Sequence, residues 1–378
     1  MLCNGVNILK RILFLIPTLS GGGAEKVLVN LVNNLDRNKY SIKVMTLFDT
    51  GVNKQYLKEK NEYMFFFNRN FRGSRLLFKL FSPKFLFNLM IKEEYDVIVS
   101  FLEGPTTRIV SGCNNEKTKI VNWIHNEFYD MKSVSKSYRS LKETIRCYKK
   151  FSYTVFVAES AKDVFPGVIP LQNKRVLYNI VETEQIREMS LEKVEDIQFD
   201  GSKINLVSVG RFTHQKGYER LLEVINKLIY QDKINLHLYL IGQGELKEKY
   251  LKIINERKIS DNVTLLEFQK NPYKYVKKSD LFICSSYYEG FSTVVTESLI
   301  IGTPVVTTLC SGMKELLGEE SQYGTIVENS EQGLYSGLRR ILKDKSEIGK
   351  LKERAIERGK SFNKSNTIYS VESFFDNL

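Results

Sequence analysis

The chain has 378 residues, 42% hydrophobic and 26% charged, with a net charge of +12. That length exceeds one ordinary core and suits two domains of roughly 150–200 residues each, and the balance of apolar and charged residues excludes a disordered chain. The five cysteines (Cys3, Cys113, Cys147, Cys284, Cys310) are scattered without a C-x-x-C pair, which excludes a disulfide framework or zinc site and reads as reduced thiols of a cytoplasmic protein.

The first apolar run, residues 12–16, follows Lys10-Arg11 and faintly resembles a signal peptide. Pro17 and Gly21-Gly22-Gly23 cut it short, so it reads as a buried strand; Val27, Leu28, Leu31, Val32 and Leu35 then recur at helical spacing. Residues 42–47, 97–101, 120–124 and 154–157 follow as short apolar strands. Residues 182–203 are polar and carry no core-sized apolar stripe, which places a linker there. The same alternation restarts at 204–209 and continues through 236–241, 263–268, 281–284 and 304–307. Strands this apolar, alternating with helices, predict parallel sheets covered on both faces. The expected architecture is α/β: two Rossmann-like, doubly wound domains facing across a cleft, at 1–185 and 200–360. Residues 361–378 form an aromatic helix that could return to the first domain. No apolar run approaches the ~20 residues that span a bilayer.

Three motifs lie just past predicted strands. Gly21-Gly22-Gly23-Ala24-Glu25 opens a helix, whose free N–H groups suit a phosphate and whose glycines allow close approach. Its spacing is not that of the dinucleotide fingerprint. Gly210-Arg211 and Lys216-Gly217 place two cations five residues apart, fit for a diphosphate or equally for a solvated loop. In the run from Glu289 to Glu297, carboxylates flank a predicted helix start: Ser292 is a phosphate neighbour or an ordinary N-cap, and Glu297 a ribose ligand or a surface charge. His125 follows a strand of the first domain, where a structural role is the ordinary one. His214 lies between Arg211 and Lys216, and His237 is a packing residue within a strand. There is no D-x-D motif, P-loop or G-x-S-x-G elbow.

Taken in order, these pieces resemble the large retaining glycosyltransferase family with the GT-B fold, family 4 in the usual classification. The resemblance is carried by Gly-Gly-Ala-Glu at 22–25, Ser-Val-Gly-Arg at 208–211 with Lys216-Gly217, and Leu-Ile-Gly-Gln-Gly at 240–244. Asn-Pro-Tyr at 271–273, the Glu289/Glu297 pair, Gly-Thr-Pro-Val-Val at 302–306 and the segment from Gly312 to Glu315 complete it. It implies that Gly22 and Gly23 approach the donor diphosphate while Arg211 and Lys216 neutralise it. Glu289 would contact the transferred sugar, Glu297 the ribose, and the Gly290, Phe291, Ser292 and Thr293 segment the phosphates. Phe268 and Gln269 would lie by the nucleobase, and His125 near the sugar; Glu267 stands where many relatives have glycine. The implied reaction moves a hexose or N-acetylhexosamine from a nucleotide sugar, UDP-linked by family frequency. The acceptor would be a glycan or lipid-linked oligosaccharide in polysaccharide or cell-surface glycan synthesis. Configuration would be retained, with no metal or other cofactor, by a front-face mechanism.

Two stretches account for much of the positive charge. Residues 63–92 interleave aromatics with Arg69, Arg72, Arg75, Lys79 and Lys84; residues 132–150 carry seven basic side chains and one acid, Glu143. Cations beside aromatic anchors suit peripheral contact with the inner face of an anionic cell membrane. A nucleic-acid-binding module lacks support, since the basic residues form no compact helix or aromatic platform. A nucleotide-sugar epimerase on the same fold is the enzymatic alternative; a sugar phosphorylase would want a pyridoxal-binding lysine that is not evident. Intact Arg211, Lys216, Glu289 and Glu297 oppose a decayed scaffold.

Overall fold

The computed structural model describes residues 9–71 and 73–378. Cys3 and Arg72 lie outside the described residues, as does the side chain of Arg75. The chain divides into two units. One runs to Ile180 and takes back Ser365–Leu378; the other is Val181–Lys364.

The first unit holds strands β1 (Lys10–Ile16), β2 (Tyr40–Phe48), β3 (Glu62–Phe67), β4 (Val97–Phe101), β5 (Lys119–Ile124), β6 (Tyr153–Phe156) and β7 (Lys174–Val176). Their order is β3-β2-β1-β4-β5-β6-β7, parallel throughout. All of β4 is buried, because helices on both faces leave no side of a central strand for water. The second unit holds β8 (Ile204–Val209), β9 (Leu236–Ile241), β10 (Val263–Leu266), β11 (Leu281–Cys284), β12 (Val305–Thr308) and β13 (Thr325–Val327), again parallel, in the order β10-β9-β8-β11-β12-β13. In each sheet the strand order reverses at one place: between β1 and β4, and between β8 and β11. Ligands of open α/β sheets bind beyond the carboxyl ends at such switch points.

Three strands were absent from the sequence reading, and a fourth is shorter than read. The strand β3 lies within the aromatic stretch read as surface, and it pairs with β2 through Met45↔Met64 and Phe48↔Phe67. Half-buried rings on an edge strand give no clean alternation. The strands β7 and β13, three residues each, are too short to show any period. The run 263–268 is a strand only to Leu266, so Glu267, Phe268 and Gln269 lie on a loop.

The polar stretch read as a linker is instead part of the second unit. It begins with the helix Thr183–Ser190, and Ile186 is buried in that unit's core, with Met189, Val194, Ile197 and Phe199 packed against it. Five apolar residues dispersed among charges over fourteen positions escape a periodicity reading yet suffice to dock the segment. The closing helix Lys364–Asp376 packs on the first unit. Phe375 meets the rings of Phe14 and Tyr40 edge-on, Phe374 meets Tyr153, and the Lys10 ammonium donates to the Phe375 carbonyl at 2.6 Å.

Candidate active site

In the second unit the loops after β8 and β11 flank the switch point and are fastened together. The Tyr287 N–H donates to the Gln215 carbonyl at 2.8 Å, the Ser285 hydroxyl to the Lys216 carbonyl at 2.8 Å, and the Gln215 amide to the Tyr288 carbonyl at 3.0 Å. Gly217 makes this closeness possible: its φ is +63°, and a Cβ there would sit 2.2 Å from the Ser285 carbonyl oxygen. The outcome is an ion pair. The Lys216 ammonium lies 2.6 Å from Glu289 Oε1, with both side chains largely buried, and the Ser286 hydroxyl donates to the same oxygen at 2.6 Å. Burial pulls the Lys216 ammonium down, but the facing carboxylate outweighs it and holds the pKa above the ordinary lysine value. The ambiguity over Lys216 is thereby resolved: it is not a solvated lysine. Arg211 is exposed on the same loop, and the His214 ring stacks on Tyr287 at 4.8 Å.

Sequence reasoning missed Arg220, which anchors this loop. Its buried guanidinium donates to the Ser285 carbonyl, the Ser286 carbonyl and Asn329 Oδ1, all within 3.0 Å, and lies over the Tyr287 ring at 4.0 Å. Its signal in the sequence is only an arginine in an otherwise amphipathic helix, Tyr218–Tyr230.

The helix Thr293–Ile301 begins directly after this loop. Ser292 stands at its N-cap, yet its side chain makes no capping hydrogen bond, and Oγ is buried without a hydrogen-bond partner. The ordinary N-cap reading of Ser292 therefore fails, and the helix's first N–H groups, with their partial positive charge, are not met by the serine. Glu297, one turn in, is only 6% exposed and accepts a hydrogen bond from the Tyr273 hydroxyl at 3.4 Å, so it is not a surface charge. Gly290 is buried, while Phe291 and Thr293 are half-buried. Phe268 is exposed, and Gln269 accepts from the Tyr275 hydroxyl at 3.2 Å. Glu267 pairs with Lys247. His237, in β9, bonds Thr264 Oγ1 at 2.8 Å, a packing role.

In the first unit the glycine turn follows β1. Gly22 caps the helix Gly23–Asn34 with extended backbone, and the Glu25 carboxylate lies close against it. Glu25 is buried and accepts from the Ser20 hydroxyl at 2.7 Å. A carboxylate already in the first turn complements the helix end, which makes this turn better suited to hydroxyls than to a phosphate.

Across the switch point from it, Leu102 adopts φ +126° just past β4, a strained conformation for leucine. Glu103 follows and accepts from the His125 N–H at 3.0 Å and from the Asn126 side-chain amide. The sequence carried no sign of Glu103 beyond its place after a strand. Burial raises the Glu103 carboxyl above its ordinary pKa. The His125 ring packs on Phe101, with centroids 4.4 Å apart; burial drives its pKa down to about 3, and its Nε2 is buried with no hydrogen-bond partner. An unsatisfied buried nitrogen costs stability, so this histidine is not a satisfied core residue.

Among the described residues no three His, Cys, Asp or Glu side chains gather as a metal-holding group, and no helix is long and apolar enough to cross a membrane. Cys113, Cys147, Cys284 and Cys310 are buried and form no disulfide.

Two family models match the chain: Glycosyltransferase Family 4 over residues 21–185 and Glycosyl transferases group 1 over residues 190–362. A curated relative from Campylobacter jejuni is 36% identical over 191 residues, 50% of each chain, so the match spans about half its length. It is described as an N-acetylgalactosamine-N,N'-diacetylbacillosaminyl-diphospho-undecaprenol 4-alpha-N-acetylgalactosaminyltransferase. The amylovoran biosynthesis glycosyltransferase AmsD of Erwinia amylovora is 24% identical, covering 86% of this chain and 88% of its own. The crystal structure of Anabaena HepE in complex with UDP and glucose superposes with a TM-score of 0.73 at 17% identity, covering 98% of this chain and all of the other.

Proposed function

Since the chain belongs to the family 4, group 1 glycosyltransferases and has the GT-B fold, we propose that it transfers a hexose or N-acetylhexosamine from a UDP-sugar, with retention, to a glycan or lipid-linked acceptor. The observation that carries the donor reading is the start of the helix Thr293–Ile301. Its N-cap Ser292, three residues past Glu289 of the Lys216–Glu289 pair, leaves Oγ buried and unsatisfied. A diphosphate there meets backbone N–H groups and Lys216, with Arg211 on the same loop. Glu289, held by Lys216 and Ser286, offers its remaining lone pairs to sugar hydroxyls, and Glu297 to the ribose. Phe268 offers an exposed face to the base.

In the proposed step the bond between the sugar's C1 and the diphosphate oxygen breaks as a bond to the acceptor oxygen forms on the same face. The acceptor's proton passes to the departing diphosphate, whose growing charge Lys216 and Arg211 meet without a metal. In the first unit, the neutral His125 keeps an unsatisfied Nε2 for a hydroxyl, and the Gly22 and Gly23 backbone allows close approach. The named acceptor of the Campylobacter relative, a diphospho-undecaprenol saccharide, supports a lipid-linked acceptor, and with it peripheral contact with an anionic membrane. Calorimetric titration with UDP, GDP and their sugars tests the donor site. UDP should bind, and Glu297→Ala should weaken it about tenfold or more, as loss of a charged hydrogen-bond acceptor implies. Equal binding by the variant, or no nucleotide binding at all, would remove the assignment.

A further inference from the structure

Residues 63–92 contain no acidic side chain, and the structure sorts their apolar residues into two sets. Phe78, Leu86 and Met90 are buried in the first unit's core, with Met64, Phe66 and Phe67 packed against it; this part of the stretch is not the surface that the sequence reading made it. The second set stays outside: Leu76 is 63% exposed, Leu80 64%, Phe81 40%, Phe85 49% and Leu89 42%. Leu76 and Leu80 stand four residues apart on the helix Ser74–Leu80, and Phe85 and Leu89 do so on the helix Pro83–Met90. The rings of Phe81 and Phe85 stack at 4.9 Å, which joins the two pairs into one ridge.

We propose that this ridge is a membrane-insertion element that seats in the interface of an anionic bilayer. The assignment goes beyond general membrane contact by naming the element and its mode, and it does not depend on the donor site. Three observations carry it. Five large apolar side chains together in water are an unfavourable arrangement that a partner must relieve. The exposed charges of residues 63–92 and of residues 132–150 have one sign. Lys84 is exposed on the second helix, and Lys132, Lys136, Lys142 and Arg146 are exposed in the segment that also provides Arg139. Glu143, the one acid there, is buried and taken up by Arg108 at 2.8 Å and by the Arg139 N–H at 2.7 Å. Anionic headgroups therefore meet cations with no opposing carboxylate from these two segments.

The third observation concerns the backbone. The last carbonyls of a helix lack intrahelical partners, and an apolar medium makes that costly. Here Arg108, wholly buried, donates to the Phe78 and Phe81 carbonyls, and Arg139 donates to those of Lys79 and Leu80. Four successive carbonyls at the tip of the ridge are met by guanidinium groups, so the tip can leave water without stranding them.

Vesicles of phosphatidylcholine alone, and with one quarter phosphatidylglycerol, test the proposal at low and moderate salt. The full chain should sediment with the anionic vesicles, and Leu80→Ser/Phe81→Ser/Phe85→Ser should bind them about tenfold or more weakly while binding UDP as before. Because Trp123, the chain's single tryptophan, is buried, Phe85→Trp adds a reporter whose emission should shift to the blue on vesicle addition. The proposal is overturned if the wild-type chain ignores anionic vesicles, or if the triple variant binds them equally, which would mean adsorption by charge alone. It is also overturned if the wild-type chain is a dimer that the triple variant dissolves, which would make the ridge a protein interface.

Discussion

Glu289→Gln keeps the side chain's size and removes its charge, which isolates the pair with Lys216. The two groups lie 2.6 Å apart, with side chains 16% and 10% exposed. Unit charges about 4 Å apart interact by about 4 kcal/mol at an effective dielectric constant of about 20. Removing one partner of a buried pair costs about 2–5 kcal/mol, because the other charge stays behind. The residual exposure favours the lower end, so Glu289→Gln and Lys216→Met should each destabilise the second unit by about 2 kcal/mol, and the double variant should recover at least about 1.5 kcal/mol of their sum. The pH dependence follows from the raised Lys216 pKa. The folded state holds that proton more tightly than the unfolded chain, so the pair's contribution is full below the ordinary 10.5 and fades as pH rises through the raised value. In Glu289→Gln the carboxylate's raising effect is lost, and burial and Arg211 pull the Lys216 pKa down against Cys284 alone. Guanidinium unfolding followed by far-UV circular dichroism at pH 7 and at a pH above 10.5 checks this. The fluorescence of Trp123, in the first unit, should report a transition at unchanged denaturant. Transfer should fall by at least about 1000-fold in Glu289→Gln, as when a preorganised transition-state contact is lost. A coupling below about 0.5 kcal/mol, or transfer near the wild-type rate, would refute the reasoning.

Two further outcomes follow from groups left unsatisfied. Ser292→Asp should cap the helix Thr293–Ile301 and stabilise the protein by up to about 1 kcal/mol, while its charge repels a diphosphate and raises the donor KM at least about tenfold; thermal unfolding and initial-rate kinetics measure the two effects separately. His125, with its pKa pushed down to about 3, should contribute no limb to the pH–rate profile between pH 5 and 8. It should instead make the first unit acid-labile, because the unfolded chain takes up the proton near pH 6.5 and stability falls as pH drops below that value. His125→Gln should flatten that loss.

The strands central to each sheet were legible because burial on both faces makes them continuous apolar runs; the ends of β4, β8, β9 and β11 agree with the sequence reading to the residue. Legibility failed where burial is partial or the element short, as in β3, β7, β13 and the segment from Thr183 to Phe199. The candidate site was legible as motifs and not as an arrangement. Composition and spacing left Lys216 open between ligand and solvated charge, and Ser292 between phosphate neighbour and cap.

Local order along the chain determined which residues form strands and that glycines, cations and carboxylates gather where strands end. The tertiary structure decided the rest. Reversal of strand order between β8 and β11 brings Lys216 to Glu289 across 73 positions of sequence, and Arg220 anchors the intervening loop through carbonyls whose positions no spacing rule encodes. Folding also parted the aromatics of residues 63–92 into core and ridge, since which face of a helix meets the sheet depends on contacts distant in sequence. A sequence pattern reports the period of a single element. The partners of each residue are set by packing between elements.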